Sequence, residues 1–186
     1  LGIDITRYSW KTLASQEPNR YPKELFTVLE STWVFNTVEW LDHYAKRDWT
    51  LTHMDYELDN VLIDDDGPIV IDWQSPMISH PGVDLAWLLA ASHSEETLAV
   101  EEDFLKLYRD ILSSSGGPSW SAQELEEALA WGILYPVSCQ AVPYLQDVSA
   151  YGEGAERMHQ RFEKFLQGSI DAAVRWNLVD HLQPLI

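Results

Sequence analysis

The stretch from Leu51 to Trp73, LTHMDYELDNVLIDDDGPIVIDW, constrains the fold of this chain more than any other. Its centre is His53-x-Asp55-x-x-x-x-Asn60. Two short apolar runs follow, Val61-Leu62-Ile63 and Ile69-Val70-Ile71, on either side of Asp64-Asp65-Asp66-Gly67-Pro68. Short β-branched runs around an Asp-Gly step predict an antiparallel hairpin, with strands over 61–64 and 69–72. Such a hairpin fixes the distance between the loop bearing Asp55 and Asn60 and the strand end bearing Asp72. Three oxygen-bearing side chains from two adjacent segments then face one shared cleft. That set suits a hard cation such as Mg²⁺, which takes a few carboxylate or amide oxygens and leaves its other positions to water and phosphate.

Around this centre the pattern is helical. Residues 1–21 lack a clean period and read as irregular, with room for a short helix. Pro22 stands where a first-turn proline belongs, and Lys23 to Arg47 then reads as one long helix. Phe26, Leu29, Trp33, Val34, Val38, Leu41 and Ala45 give it a broad apolar face. Leu51 to His53 is a short strand. Residues 74–82, with Pro76, Pro81 and Gly82, read as a loop. Asp84 can cap a helix over 85–91 or tie down a loop. Ser94 caps another helix to about Ser113, with Phe104, Leu105, Tyr108, Ile111 and Leu112 on one face, and Gly116-Gly117-Pro118 stops it. Ser121 and Glu124 form a capping box for the next helix, which Pro136 and Pro143 should break or kink. A last helix spans about 154–178, with Met158, Phe162, Phe165, Leu166, Ile170 and Val174 inward. The expectation is a single α+β domain over 1–186, mainly α: a helical bundle carrying one small hairpin.

Composition narrows the function. Thirty acidic and twelve basic residues give a formal charge of −18. A field of that sign repels nucleic acid and anionic lipid and favours cationic ligands. No apolar run approaches the length of a membrane helix, and the start shows no signal peptide. The single cysteine, Cys139, excludes an internal disulfide framework and fits a small buried hydrophobe in a reducing compartment, so the expected location is cytoplasmic. Most of the nine tryptophans lie at helical core spacing, Trp73 reads as core, and His80 and His93 read as surface or loop residues.

The 51–91 stretch resembles the catalytic core of the kinase-like phosphotransferases, and within them the aminoglycoside phosphotransferase family, which includes choline-kinase-like enzymes. The matching residues are His53, Asp55 and Asn60, then Ile71-Asp72-Trp73-Gln74 after the hairpin, then Gly82-Val83-Asp84-Leu85-Ala86. Met54 departs from the glycine usual at its position, and Glu57-Leu58 from small or basic residues. The resemblance implies a protein-kinase-like C-terminal lobe whose Asp55 is the catalytic base or orients the substrate hydroxyl. It implies that Asn60 and Asp72 hold Mg²⁺ on the phosphates of ATP, and that His53 and Asp84 support the site structurally. The implied acceptor is a small molecule with a hydroxyl, and the acid excess favours a cationic one. The family's N-terminal lobe brings a glycine-rich loop and a strand lysine. Neither occurs before residue 51, so that lobe is expected upstream in the complete protein, and this stretch alone is expected to be inactive.

Two readings of other classes compete. One is a pseudokinase-like interaction module that keeps the lobe without turnover, motivated by Met54 and Glu57. The other is a metal-dependent hydrolase built from His53, Asp55, Asp72 and His80, which would need a dense His/Asp cluster.

Overall fold

The computed structural model describes residues 3–31 and 49–182. Helix α1 (Ile3–Gln16) occupies most of the stretch expected to be irregular. Its buried face is Thr6, Ser9, Trp10 and Leu13. That is helical spacing, but two of the four are polar, which hides the period from a hydrophobicity reading. Trp10 Nε1 donates to the Ser138 carbonyl at 3.0 Å, which ties α1 to a helix far along the chain. Helix α2 (Lys23–Ser31) buries Leu25, Val28 and Leu29. The remainder of the helix expected to reach Arg47, including Trp33, Val34, Val38, Leu41 and Ala45, lies outside the described residues.

Four short strands follow: β1 (Thr50–Thr52), β2 (Val61–Asp64), β3 (Gly67–Val70) and β4 (Met77–Ser79). They form two antiparallel pairs, β1 with β4 and β2 with β3. The 74–82 segment is therefore not all loop. Pro76 ends one turn, and the next three residues are free to pair, Leu51 standing opposite Ile78. The Thr52 hydroxyl adds a bond to the Met77 carbonyl at 2.9 Å.

The β2–β3 hairpin turns in two residues, Asp65 and Asp66. Asp64 Oδ1 accepts from the amides of Asp66 and Gly67, and Gly67 takes φ 122°, which its missing Cβ allows. This tight closure starts the second strand two residues earlier than the expected 69–72, with Ile63 opposite Pro68. Ile71 and Asp72 lie just beyond the strand.

Helix α3 (Gly82–Ala91) begins three residues before Leu85, after Pro81, which offers no side-chain cap. It packs on α5 (Ala122–Tyr144) and α6 (Ala155–Arg175). The approach is backbone to backbone. A Cβ on Gly132 would lie 2.0 Å from the Gly82 carbonyl oxygen, and one on Gly82 1.9 Å from that of Ala128. Helix α4 (Glu95–Ser114) starts at a Ser94–Thr97 capping box and α5 at the Ser121–Glu124 box. Ile111 of α4 is exposed and does not belong to its inner face.

Pro136 and Pro143 do not break α5, which is continuous to Tyr144. A mid-helix proline costs about 3 kcal/mol or more. Here Ile133, Val137 and Ala141, all fully buried, hold the turns around both prolines in place. Helix α6 buries Phe165, Leu166 and Ile170, while Val174 is exposed. Asn177, at φ 53°, ends this run, and a short α7 (Leu178–Leu182) follows. Leucines and isoleucines from α1, α2, α5, α6 and α7 meet in one core, each contributing about 1.5–3 kcal/mol by leaving water. The fold is α+β and mainly α.

Candidate active site

The loop after β1 is held from two directions. Asp84, in the first turn of α3, leaves its own helix uncapped. Its carboxylate accepts instead from the amides of His53 (2.7 Å) and Met54 (3.0 Å). Because Gly82 and Gly132 press α3 onto α5, this carboxylate is anchored to the core. Met54 takes φ 69°, a left-handed conformation that favours glycine, and its side chain is buried.

From the other side, His53 Nε2 donates to the Ile71 carbonyl at 2.8 Å, and the Ile71 amide donates to the Asn60 carbonyl at 2.9 Å. Both peptide groups of Ile71 are thereby fixed to the loop, and the chain turns sharply at the next residue, with Asp72 at φ 63°. The circuit closes through Asn60, in a 3₁₀ turn over Leu58–Asn60, whose Nδ2 donates to the Asp55 carbonyl at 2.8 Å. His53 itself is buried, edge-on to Trp73 with ring centroids 4.7 Å apart.

Trp73 is not core. It is 48% exposed, and its indole donates to the Val70 carbonyl, bracing the hairpin end. His80 lies in the loop between β4 and α3. It is buried, and its Nδ1 accepts from the Gly82 amide at 3.1 Å, at the start of α3. His93 lies 3.2 Å from Asp171. His53 and His80 thus both spend a ring nitrogen on the backbone. Among the described residues no group of three or more His, Cys, Asp or Glu side chains gathers as metal ligands would. The hydrolase reading has no such cluster to rest on.

The donor set does fit a cation that brings most of its own ligands. With its Nδ2 engaged, Asn60 presents Oδ1 as its remaining side-chain donor, and the Asp72 carboxylate is exposed one residue beyond the pinned Ile71. Two oxygen ligands are few for Ca²⁺ but enough for Mg²⁺ carried on phosphates.

Beside Asp55 a cleft of about 340 Å³ opens between the loop, α3, α5 and α6. Asp55 and Glu57 line it together with Trp87, Tyr151, Phe162 and Arg161, whereas Asn60 and Asp72 do not. Glu57 forms a short hydrogen-bonded ion pair with Arg161, across 104 residues of sequence, and Asp59 stands 3.8 Å from the same guanidinium. Burial pushes the Glu57 carboxyl above its ordinary value, against the pull of Arg161, and the charges of Asp55 and Asp59 add to the rise. Neither Arg161 nor the aromatic lining was legible beforehand. They come from α3, α6 and the turn before α6, where sequence shows only ordinary helical spacing.

A sequence model described as the phosphotransferase enzyme family matches residues 4–122, well over half of the chain, and covers every residue of the circuit. No curated protein and no solved structure matches the chain.

Proposed function

The chain belongs to the phosphotransferase enzyme family, and from that premise we propose that the complete protein transfers the γ-phosphoryl group of Mg·ATP to a hydroxyl of a small molecule. The observation that carries this reading is the circuit through Asp84, His53, Ile71, Asn60 and Asp55. It ties the loop bearing Asp55 to Asn60 and to Ile71, the residue before Asp72, and uses neither the Asp55 nor the Asp72 carboxylate to do so.

Asp55, at the cleft, orients the acceptor hydroxyl in line with the phosphoryl group and accepts its proton. Asn60 and Asp72 hold the cation, and His53 keeps Asp72 in place by fixing Ile71. When bound, Mg²⁺ supplies neutralisation of the charge on the phosphate oxygens. The cleft sets Trp87, Tyr151 and Phe162 around two carboxylates. That lining, with the overall acid excess, suits an acceptor carrying an ammonium group. Leu62, Ile63, Met77 and Ile78 are exposed on the two strand pairs, apolar surface that a nucleotide base and a covering lobe would bury. Among the described residues no helix is long and apolar enough to cross a membrane. Cys139 is half-buried, with its thiol pushed up to about 11 by desolvation; a single cysteine suits a reducing compartment, and the proposed location is the cytoplasm.

The test is kinetic, on the complete protein. Asp55→Asn keeps the side-chain shape but removes the proton acceptor, so turnover should fall by about 10²–10⁴-fold with ATP affinity nearly unchanged. Asp72→Asn should weaken Mg·ATP binding and turnover together. Wild-type turnover by Asp55→Asn would remove Asp55 from the chemistry. Mg·ATP binding without transfer to any hydroxyl acceptor would leave the pseudokinase reading.

A further inference from the structure

A second cleft, about 480 Å³, lies on the other side of Arg161. Its floor is α6, and it reaches the 57–59 turn of the loop and the start of α4 at Ser94 and Thr97. Arg157, Arg161 and Lys164 line it at helical spacing, so one face of α6 presents three cations. They are three of only twelve basic residues in a chain of charge −18. The opposing lining charges are Glu57 and Asp59, both directed at Arg161. The charge of Lys164 also acts on the Glu96 carboxyl of α4, with no ion pair between them among the described residues. Arg157 has no ion pair among the described residues. The cleft's lining therefore carries one net positive charge where the chain average is strongly negative, and the α4 N-terminus adds positive potential.

This cleft is not separate from the one at Asp55. Glu57, Arg161 and Phe165 line both, with Arg161 as the partition. We propose that the second cleft is an oxyanion subsite of the acceptor site: it takes a carboxylate or phosphate group of the acceptor, held by Arg157, Arg161 and Lys164, while the acceptor hydroxyl lies at Asp55. This rests on the phosphotransferase reading for its substrate role, but the binding of an oxyanion stands independently. The acceptor is then a hydroxylated acid, or a zwitterion if the ammonium preference of the first cleft also holds. Guanidinium and ammonium groups converging on one oxyanion give charge-assisted bonds stronger than neutral ones.

Equilibrium dialysis of inorganic phosphate, and separately of acetate, tests this with the full chain at constant ionic strength and without Mg²⁺. The wild type should bind at least one of the two saturably. The double variant Arg157→Gln, Lys164→Gln should lose about tenfold or more in affinity. Arg157→Lys alone should keep most of it, as should Lys106→Gln, which lies in a different cleft. Both changed residues are exposed, and unchanged thermal unfolding confirms the fold. Phosphate binding alone identifies a phosphorylated acceptor, and acetate binding a carboxylate. No saturable binding of either, or equal binding by the double variant, overturns the subsite. Binding without phosphotransfer by the complete protein would instead overturn the functional reading and leave the subsite.

Discussion

The Asp84 carboxylate accepts from the backbone amides of both His53 (2.7 Å) and Met54 (3.0 Å), so a side chain of α3 sets the path of the loop that carries Asp55. Two neighbouring amides share one anion, and the first belongs to a buried residue. Asp84→Ala strands both donors and should cost roughly 2–5 kcal/mol of stability. Asp84→Asn keeps one acceptor oxygen but turns an NH₂ toward the other amide, and should cost less than Asp84→Ala. Urea denaturation of the three proteins measures both. A loss under about 0.5 kcal/mol for Asp84→Ala would mean that water replaces the carboxylate and that Asp84 does not anchor the loop.

Gly132→Ala sets two effects against each other. In a helix interior alanine is better than glycine by about 1 kcal/mol. A Cβ here would meet the Gly82 carbonyl oxygen at 2.0 Å, a backbone atom that cannot rotate away. Separating α3 from α5 should cost at least the upper end of about 1–3 kcal/mol, so the net effect is destabilising. The variant should also lower phosphotransfer in the complete protein, because α3 carries Asp84. A stabilised Gly132→Ala protein would refute the close approach.

Met54 stands at the family's glycine position with the backbone a glycine would choose. Its left-handed φ costs on the order of 1–2 kcal/mol, while its buried side chain is worth roughly 2–5 kcal/mol against alanine. Both Met54→Ala and Met54→Gly should therefore destabilise, but Met54→Gly should be the more stable of the two by about 1 kcal/mol. Elsewhere the order of alanine and glycine normally runs the other way. Paired denaturation curves with alanine ahead would show that the loop relaxes out of the left-handed region.

The existence of the hairpin was more legible in the sequence than its register. The Asp-Gly step between two β-branched runs announced the β2–β3 pair. The register was less legible, because the Asp64 side chain and Gly67 close the turn earlier than two β-branched runs suggest. Helix α1 was hidden by Thr6 and Ser9, which are buried although polar. The prolines of α5 misled for a related reason: local propensity predicts a break, and packing on both sides of Pro136 overrides it. Asp84 was visible as a cap or a tie, and only the helix start at Gly82 decides between them. The Glu57–Arg161 pair spans 104 residues and carries no local signal.

That pair gives a pH dependence with a definite sign. Burial, with Asp55 and Asp59 nearby, raises the Glu57 carboxyl above its ordinary value of 4.5, and Arg161 only partly offsets the rise. A carboxyl raised in the folded state takes up a proton on folding between its ordinary and raised values. Its stabilising contribution is complete below the ordinary value and is lost as pH climbs through the raised one. Glu57→Gln removes this titration. As pH rises from the ordinary value of 4.5 through the raised one, wild-type stability should therefore decline relative to Glu57→Gln, as read from urea midpoints at several pH values. Arg161→Gln, which removes the opposing charge, should deepen the decline. If the wild type instead gains on Glu57→Gln as pH rises, the ion pair with Arg161 outweighs the cost of burying Glu57, and the carboxylate is held ionised in the fold.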